Sequence, residues 1–385
     1  MGEWKKVKLG DCLKEVVEKT TENNQYEVLT SSKDGIFSQE EYFDKQVASK
    51  NNVGYKIIKK GQFTYRSMSD SGRFTINRLD NRDIGIVSPA YPVFETKEIN
   101  SDYLKYFWDS EMFRKAIHNL SQGSTRTALK YKDLIEIEMF IPSIEEQEKI
   151  VEILEKVDLV IEKYERLLEE KSQFIKSKFV EMFGNNKYEQ KNLKDIANIG
   201  SSKRIYANEY KKNGIPFYRS KEIRELGSGL KPSTELFISK EKYNEVKQKY
   251  GIPKKGDILI AAIGATIGYM WIVDDSEFYY KDGNLILISS GRGINPIYLK
   301  YTLEKNIDQF KRNGASGSAQ LAMTIEKVEK FIISIPPIEL QNKFAELVKN
   351  VDKQKFALEK IIENYKKLKK GLMQQLLTGK IKVKI

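Results

Sequence analysis

The chain has 385 residues, with 66 Lys and Arg against 54 Asp and Glu for a net charge of +12 at pH 7. That length fits two domains plus connecting helices better than one core. A single cysteine, Cys12, excludes an internal disulfide and a Cys-cluster zinc site, and a single histidine, His118, argues against His-ligated metals and Ser-His-Asp chemistry.

No metal and no cofactor are therefore expected, and His118 reads as an ordinary surface residue at the end of a helix. No apolar run is long enough to span a bilayer. The opening Met1-Gly2-Glu3-Trp4-Lys5-Lys6 lacks the apolar core of a signal peptide. A cytoplasmic location with no membrane partner is the expectation.

In chain order, Val7-Lys8-Leu9-Gly10-Asp11-Cys12-Leu13 reads as a short strand entering a turn or helix. Next, Ile57-Ile58-Lys59-Lys60-Gly61-Gln62-Phe63-Thr64-Tyr65 reads as a Gly turn followed by a buried strand. Around Tyr103-Leu104-Lys105-Tyr106 an amphipathic helix is predicted. A Gly/Ser loop, Ser121-Gln122-Gly123-Ser124-Thr125-Arg126, precedes a short helix and a strand from Ile135 to Ile141. Then comes Ile141-Pro142-Ser143-Ile144-Glu145-Glu146-Gln147, opening a stretch that runs without Gly or Pro to Gly184.

The same order then returns. Lys191-Asn192-Leu193-Lys194-Asp195-Ile196-Ala197 repeats the start, and Ile252-Pro253-Lys254-Lys255-Gly256-Asp257-Ile258-Leu259-Ile260 repeats the Gly turn and strand. Tyr298-Leu299-Lys300-Tyr301 repeats the helix, and Asn313-Gly314-Ala315-Ser316-Gly317-Ser318-Ala319-Gln320 repeats the loop. A strand from Phe331 to Ile335 leads to Ile335-Pro336-Pro337-Ile338-Glu339-Leu340-Gln341. Val157-Asp158 reappears at the same offset as Val351-Asp352. The repeating unit is thus a globular segment followed by a long helix. The segments are 1–142, 143–184, 185–336 and 337–385.

Both helical stretches carry an apolar seam stepping by three and four, the signature of helix pairing. In the first it includes Ile150, Leu154, Val157, Ile161 and Leu168; in the second, Phe344, Val348, Val351, Leu358 and Ile362. Pro at the first turn and Gly beyond the end supply start and stop signals. About 41 residues at about 1.5 Å each make a helix roughly 60 Å long, more than one ordinary domain can cover. Net charge is +1 for 1–142, −4 for 143–184, +8 for 185–336 and +7 for 337–385. Opposite charge favours pairing one helix with the other, antiparallel over 143–183 and 340–376. The basic second half points to a polyanionic partner.

Between these fixed points the globular segments differ. The first carries Arg66-Ser67-Met68-Ser69-Asp70-Ser71-Gly72-Arg73, then Arg78 and Arg82. The second carries Gly200-Ser201-Ser202-Lys203-Arg204, Phe217-Tyr218-Arg219-Ser220-Lys221 and Gly264-Ala265-Thr266-Ile267-Gly268. A shared frame with unshared loops suits a protein whose frame positions and whose loops discriminate. Catalytic motifs are missing. Pro336-Pro337 lies between Ile335 and Ile338, so it cannot form the Asn/Asp-Pro-Pro-aromatic motif of a DNA amino-methyltransferase. Gly379-Lys380 is followed by Ile381, so there is no phosphate loop. No catalytic residue is expected.

The order of these elements resembles the specificity subunit of type I restriction–modification systems. The resemblance rests on the two Ile-Pro-x-Ile-Glu-x-Gln openings at 141–147 and 335–341 and on the two Gly/Ser loops. It rests also on Val87-Ser88-Pro89-Ala90-Tyr91-Pro92-Val93-Phe94 and on the ending Leu376-Leu377-Thr378-Gly379-Lys380-Ile381. It implies an α+β fold of two mixed α/β target-recognition domains, each followed by a long helix. The two helices would form an antiparallel coiled coil with pseudo-two-fold symmetry. It also implies double-stranded DNA as ligand, two methyltransferase subunits and restriction/translocase subunits as partners, and no catalysis by the chain itself. The complex would be an adenine-N6 methyltransferase and ATP-dependent endonuclease.

Candidate DNA contacts are Arg66, Arg73, Arg78 and Arg126 in the first half. In the second they are Lys203, Arg204, Arg219, Lys221, Arg292, Arg312 and Gln320. Arg and Lys can pair with guanine and Gln with adenine, while other cations fix register on phosphates. A coiled-coil interaction protein without nucleic acid, and the specificity part of a single-chain nuclease–methylase, are the competing readings. The first is opposed by the Arg-bearing loops, the second by the absence of the fused chemistry.

Overall fold

The computed structural model describes residues 4–42, 51–69, 72–120, 127–184, 188–291, 293–314 and 322–383. The chain divides into two compact units, one of Met1–Leu167 with Leu358–Ile385, the other of Leu168–Ala357. The sequence segments follow the elements, whereas packing cuts through both long helices. Each unit therefore holds one globular segment and half of each helix.

In the first unit a four-stranded antiparallel sheet has the order Leu13–Glu15, Val93–Thr96, Phe63–Thr64, Asn77–Arg78. Phe63 and Phe94 stack across neighbouring strands at 5.7 Å, and Trp108 meets both rings edge-on. Trp108 comes from the helix Ser101–Asp109, whose Tyr103, Leu104 and Phe107 are also buried. Such aromatic pairs add a directional term to simple burial. The same apolar cluster takes in Ile150 and Leu154 of the first long helix and Met373, Leu376 and Leu377 of the second.

The second unit repeats the frame. Its sheet runs Ala197–Gly200, Leu285–Ser290, Ile258–Ala261, Met270–Ile272, again antiparallel throughout. Each segment is also closed by pairing its first strand with its last. Lys5–Lys8 lies against Glu138–Ile141 with Lys5 opposite Ile141, and Glu189–Asn192 lies against Ile332–Ile335 with Glu189 opposite Ile335. The closing strand delivers the chain into the long helix, so the start of each helix is fixed to its own segment.

The long helices span Ile144–Phe183 and Ile338–Leu376. Prolines 142 and 337 sit just before them, where an amide donor is not needed. At the other end the Gly184 amide closes on Val180 O at 2.7 Å, and a Cβ on Gly184 would come within 2.5 Å of that oxygen.

Within the first unit the helices pair antiparallel: Lys369 bonds Asp158 at 2.6 Å and Lys366 bonds Glu165 at 2.7 Å, so one index falls as the other rises. The Tyr164 and Tyr365 rings stack at 6.0 Å. Within the second, Phe344 is fully buried between Phe179 and Phe183, at 5.4 and 5.5 Å. Of the seam residues, Ile150, Leu154, Ile161, Phe344, Val348, Val351, Leu358 and Ile362 are buried, and Val157 and Leu168 are half-buried. Among the described residues no helix is long and apolar enough to cross a membrane.

Candidate nucleic-acid interface

The hairpin of Phe63–Thr64 and Asn77–Arg78 is joined by residues 65–76, which carry Arg66 and Arg73. Within this connection Met68–Ser69 pairs antiparallel with Thr127–Ala128. The Leu129 amide donates to Ser67 O at 2.9 Å, and the Ser67 hydroxyl donates to Ala90 O at 3.0 Å. Three segments far apart in sequence thus meet at one edge: 67–69, the 88–92 turn and 127–129. The 88–92 turn is itself anchored, because Thr64 Oγ1 donates to Pro92 O at 2.8 Å and Val93 and Phe94 are core residues. Arg66 and Arg73 are exposed, and neither has an ion-pair partner among the described residues. They are cations on loops fixed by a rigid sheet, as phosphate or base-edge contacts require.

Arg78 is placed differently. Its Nε meets Asp80 at 2.6 Å, one terminal nitrogen meets Ser101 Oγ at 2.9 Å and the other meets Asp102 at 2.7 Å. Its side chain is only 14% exposed. Burial opposes its charge, but the hydrogen bonds to Asp80 and Asp102 outweigh burial and hold its pKa above the ordinary value. Arg78 ties the hairpin to the helix Ser101–Asp109, an intramolecular role that engages all three guanidinium nitrogens. Arg82 is similarly held by Glu27 and Glu41, each at 2.8 Å.

The second unit builds the corresponding edge from other side chains. Residues 262–269 join Ile258–Ala261 to Met270–Ile272, Ile263 bridges to Ala322, and the Met323 amide donates to Ala262 O at 2.9 Å. This connection contains no Lys or Arg. Gly268 has φ +86, and a Cβ there would lie 2.6 Å from Ile307 Cγ2, so the loop lies hard against the helix Pro296–Gly314. The same Cβ would lie 3.0 Å from Lys311 Nζ, so that helix places its ammonium beside the loop. Lys311 has no ion pair among the described residues. Sequence reading passed over it; its neighbour in the fold, Gly268, is 43 positions away in the chain, and only packing brings the two together.

Lys203, Arg204, Arg219 and Lys221 lie on segments whose sequence differs from that of the first half. The strand Ile215–Tyr218 is flanked by Phe237–Ile238 and, in parallel, by Tyr279–Tyr280. Lys203 is exposed; its backbone amide donates to the Tyr279 hydroxyl at 2.9 Å and its ammonium stands 5.4 Å from the Tyr250 ring centroid. It borders a cavity of about 520 Å³ lined by Ser201, Ser202, Lys254, Tyr280, Ser289 and Ser290 among others.

Arg204 is 65% exposed and makes one ion pair, Nε to Asp282 at 2.8 Å. Arg219 and Lys221 converge on Glu235 at 3.2 and 2.8 Å, and Arg219 also bonds the fully buried Glu222 at 3.1 Å. Hydrogen bonds from Lys221 and then Arg219 hold the Glu235 carboxyl below its usual range. These two cations are neutralised within the fold. Arg126, Arg292 and Gln320, like both Gly/Ser loops apart from Asn313 and Gly314, lie outside the described residues, as does the side chain of Arg312.

Residues 1–170 and 185–369 each match the family described as type I restriction modification DNA specificity domain. The chain belongs to this family. A type I restriction enzyme specificity subunit of Haemophilus influenzae, S.HindORF215P, is 31% identical over 243 residues, covering 59% of this chain and 58% of that protein. The MjaVIII specificity subunit of Methanocaldococcus jannaschii is 24% identical over 327 residues, covering 78% and 75%.

Two solved structures share the fold. A chain from a type I R-M system studied for its assembly and conformational transition aligns over 99% of both chains, with TM-score 0.60 and 16% identity. The type I S subunit of M. genitalium aligns over 97% of this chain and 96% of its own, with TM-score 0.50 and 15% identity. The duplicated match within this specificity family coincides with the duplicated sheet, strand closure and long helix described above.

Proposed function

We propose that this chain is the non-catalytic, sequence-reading part of a type I restriction–modification complex. It reads a two-part, asymmetric site on double-stranded DNA, one half-sequence per globular segment. It acts in the cytoplasm with methyltransferase subunits, two in number, and with restriction/translocase subunits. They supply adenine methylation and ATP-dependent cleavage. One observation carries this reading: two sheets of equal strand order present corresponding hairpin edges, with Arg66 and Arg73 on one and Lys311 beside an uncharged loop on the other. Equal frames with unequal edges favour two readers of different sequences. The contacts we carry forward are Arg66, Arg73, Lys203, Arg204 and Lys311, together with Arg126, Arg292, Arg312 and Gln320 from the sequence.

The first long helix is continuous over 40 residues, and we propose that its length fixes the unread gap between the two half-sequences. Inserting four residues between Glu169 and Glu170 adds about 6 Å and nearly completes a turn, so the seam stays close to register. The gap should lengthen by one or two base pairs at about 3.4 Å each, with both half-sequences unchanged. Sequencing of methylated adenines in a strain carrying the insertion tests this. An unchanged gap overturns the helix as spacer, and the absence of any gapped methylation site from the unmodified protein overturns the function itself.

A further inference from the structure

Both copies of the Ile-Pro-x-Ile-Glu-x-Gln opening end in a glutamine, and both glutamines are buried where a polar amide needs every partner it can find. Gln147 is 1% exposed and Gln341 is fully buried. Gln147 Oε1 accepts from the Asn100 backbone amide at 2.8 Å, and its Nε2 donates to Pro142 O at 3.0 Å. Gln341 Oε1 accepts from the Asn295 amide at 2.9 Å, and its Nε2 donates to Pro336 O at 2.8 Å and Gly293 O at 3.2 Å.

The two asparagines are equivalent as well. Asn100 is the N-cap of the helix Ser101–Asp109, its side chain accepting from Asp102 and Tyr103 at 2.9 Å. Asn295 Oδ1 accepts from the Ile297 amide at 2.9 Å, at the start of Pro296–Gly314. One amide thus joins three things in each unit: the corner leaving the closing strand, the first turn of the long helix, and the first turn of the segment's own helix.

We propose that Gln147 and Gln341 are positioning residues that lock the angle of each reading segment on its long helix, and so hold the gap between half-sequences to one length. This rests on the function proposed above. Other polar contacts join these elements, Tyr106 to Asp158 at 2.9 Å in the first unit and the Asn295 side chain to Asn342 at 2.8 Å in the second. The glutamine amide, however, makes equivalent bonds in both, and directional bonds resist sliding more than apolar contacts do.

Gln→Met keeps the volume and removes the side-chain hydrogen bonds, two at Gln147 and three at Gln341. Q147M and Q341M are placed separately in the chain expressed with its partner subunits, and methylated adenines are sequenced genome-wide. Wild type should methylate one gap length. Either variant should methylate sites one base pair longer or shorter, with discrimination against them reduced about tenfold in Q147M, where two hydrogen bonds are lost, and by more in Q341M, where three are. Both half-sequences should be unchanged.

A strict wild-type gap in both variants, or an altered half-sequence, overturns the clamp while leaving the proposed function standing. Failure of wild type to show any gapped site overturns the function instead. Hydrogen exchange on the purified full-length variants guards against simple unfolding. Faster exchange confined to the segments around Asn100 or Asn295 supports the clamp, and faster exchange throughout the unit overturns it.

Discussion

Leu154 and Leu159 lie five residues apart on the same helix, and the structure assigns them opposite environments. Leu154 is fully buried, in the cluster with Ile150, Met373, Leu376 and Leu377, whereas Leu159 is 63% exposed. Truncating an enclosed leucine to alanine loses its transfer free energy and leaves a cavity, together about 2–5 kcal/mol. An exposed substitution of the same kind stays within about 0.5 kcal/mol.

A loss of about 3 kcal/mol in a unit of some 200 residues lowers its midpoint by about 6–12 °C. Thermal unfolding of purified L154A and L159A, followed by circular dichroism, should show that drop for the first and about 2 °C or less for the second. The transition to read is that of the unit formed by residues 1–167 and 358–385, since two units need not unfold together. Equal losses for the two variants, or none for L154A, would refute the assignment of the seam. The two leucines have equal helix propensity, so only the face they occupy can separate them.

Three further outcomes follow from the site. R66A and R73A should weaken DNA binding in a mobility-shift assay, by about 1–3 kcal/mol at one base pair for a base contact or uniformly for a phosphate contact, with unchanged melting. R78A should do the reverse, lowering the melting temperature by breaking bonds to Asp80, Ser101 and Asp102 while leaving the salt dependence of DNA binding as in wild type. Alkaline pH should destabilise the first unit. Burial, and then the nearby Glu15 carboxylate, pushes the Tyr131 phenol up from 10.0 to about 12. An acid with a raised folded pKa binds its proton more tightly when folded, so its contribution is complete below pH 10 and is lost as pH rises to 12. Tyrosine absorbance and circular dichroism recorded together should show ionisation accompanying unfolding across that window, and Y131F should remove part of the pH dependence.

Much of the architecture was legible because it is written in local patterns. The apolar seam, the prolines before each helix and the glycine after the first mark helices to within a few residues of Ile144–Phe183 and Ile338–Leu376, since helix periodicity and end signals act over a single turn. Duplication made the rest readable: each motif found once could be sought again at the same offset. The role of the motif glutamines was not legible. Gln147 and Asn100 are 47 positions apart, although both stand in repeated motifs, and an Asn three residues before each Tyr-Leu-Lys-Tyr was the available clue.

The sequence by itself determined the two long helices and the repeated strands and helix of the frame, that the arrangement occurs twice, and that the methyltransferase and phosphate-loop motifs are missing. Tertiary structure alone decided which cations are free. Arg66, Arg78 and Arg219 are the same residue type, yet Arg66 faces solvent without an ion-pair partner among the described residues. Arg78 is taken up by Asp102, and Arg219 by Glu222 and Glu235. Asp80 and Glu222 are sequence neighbours of the arginines they hold, but Asp102 and Glu235 lie 24 and 16 positions away, on segments that the local sequence does not orient. Periodicity governs where a helix lies, but charge pairing depends on distances of about 3 Å across the fold.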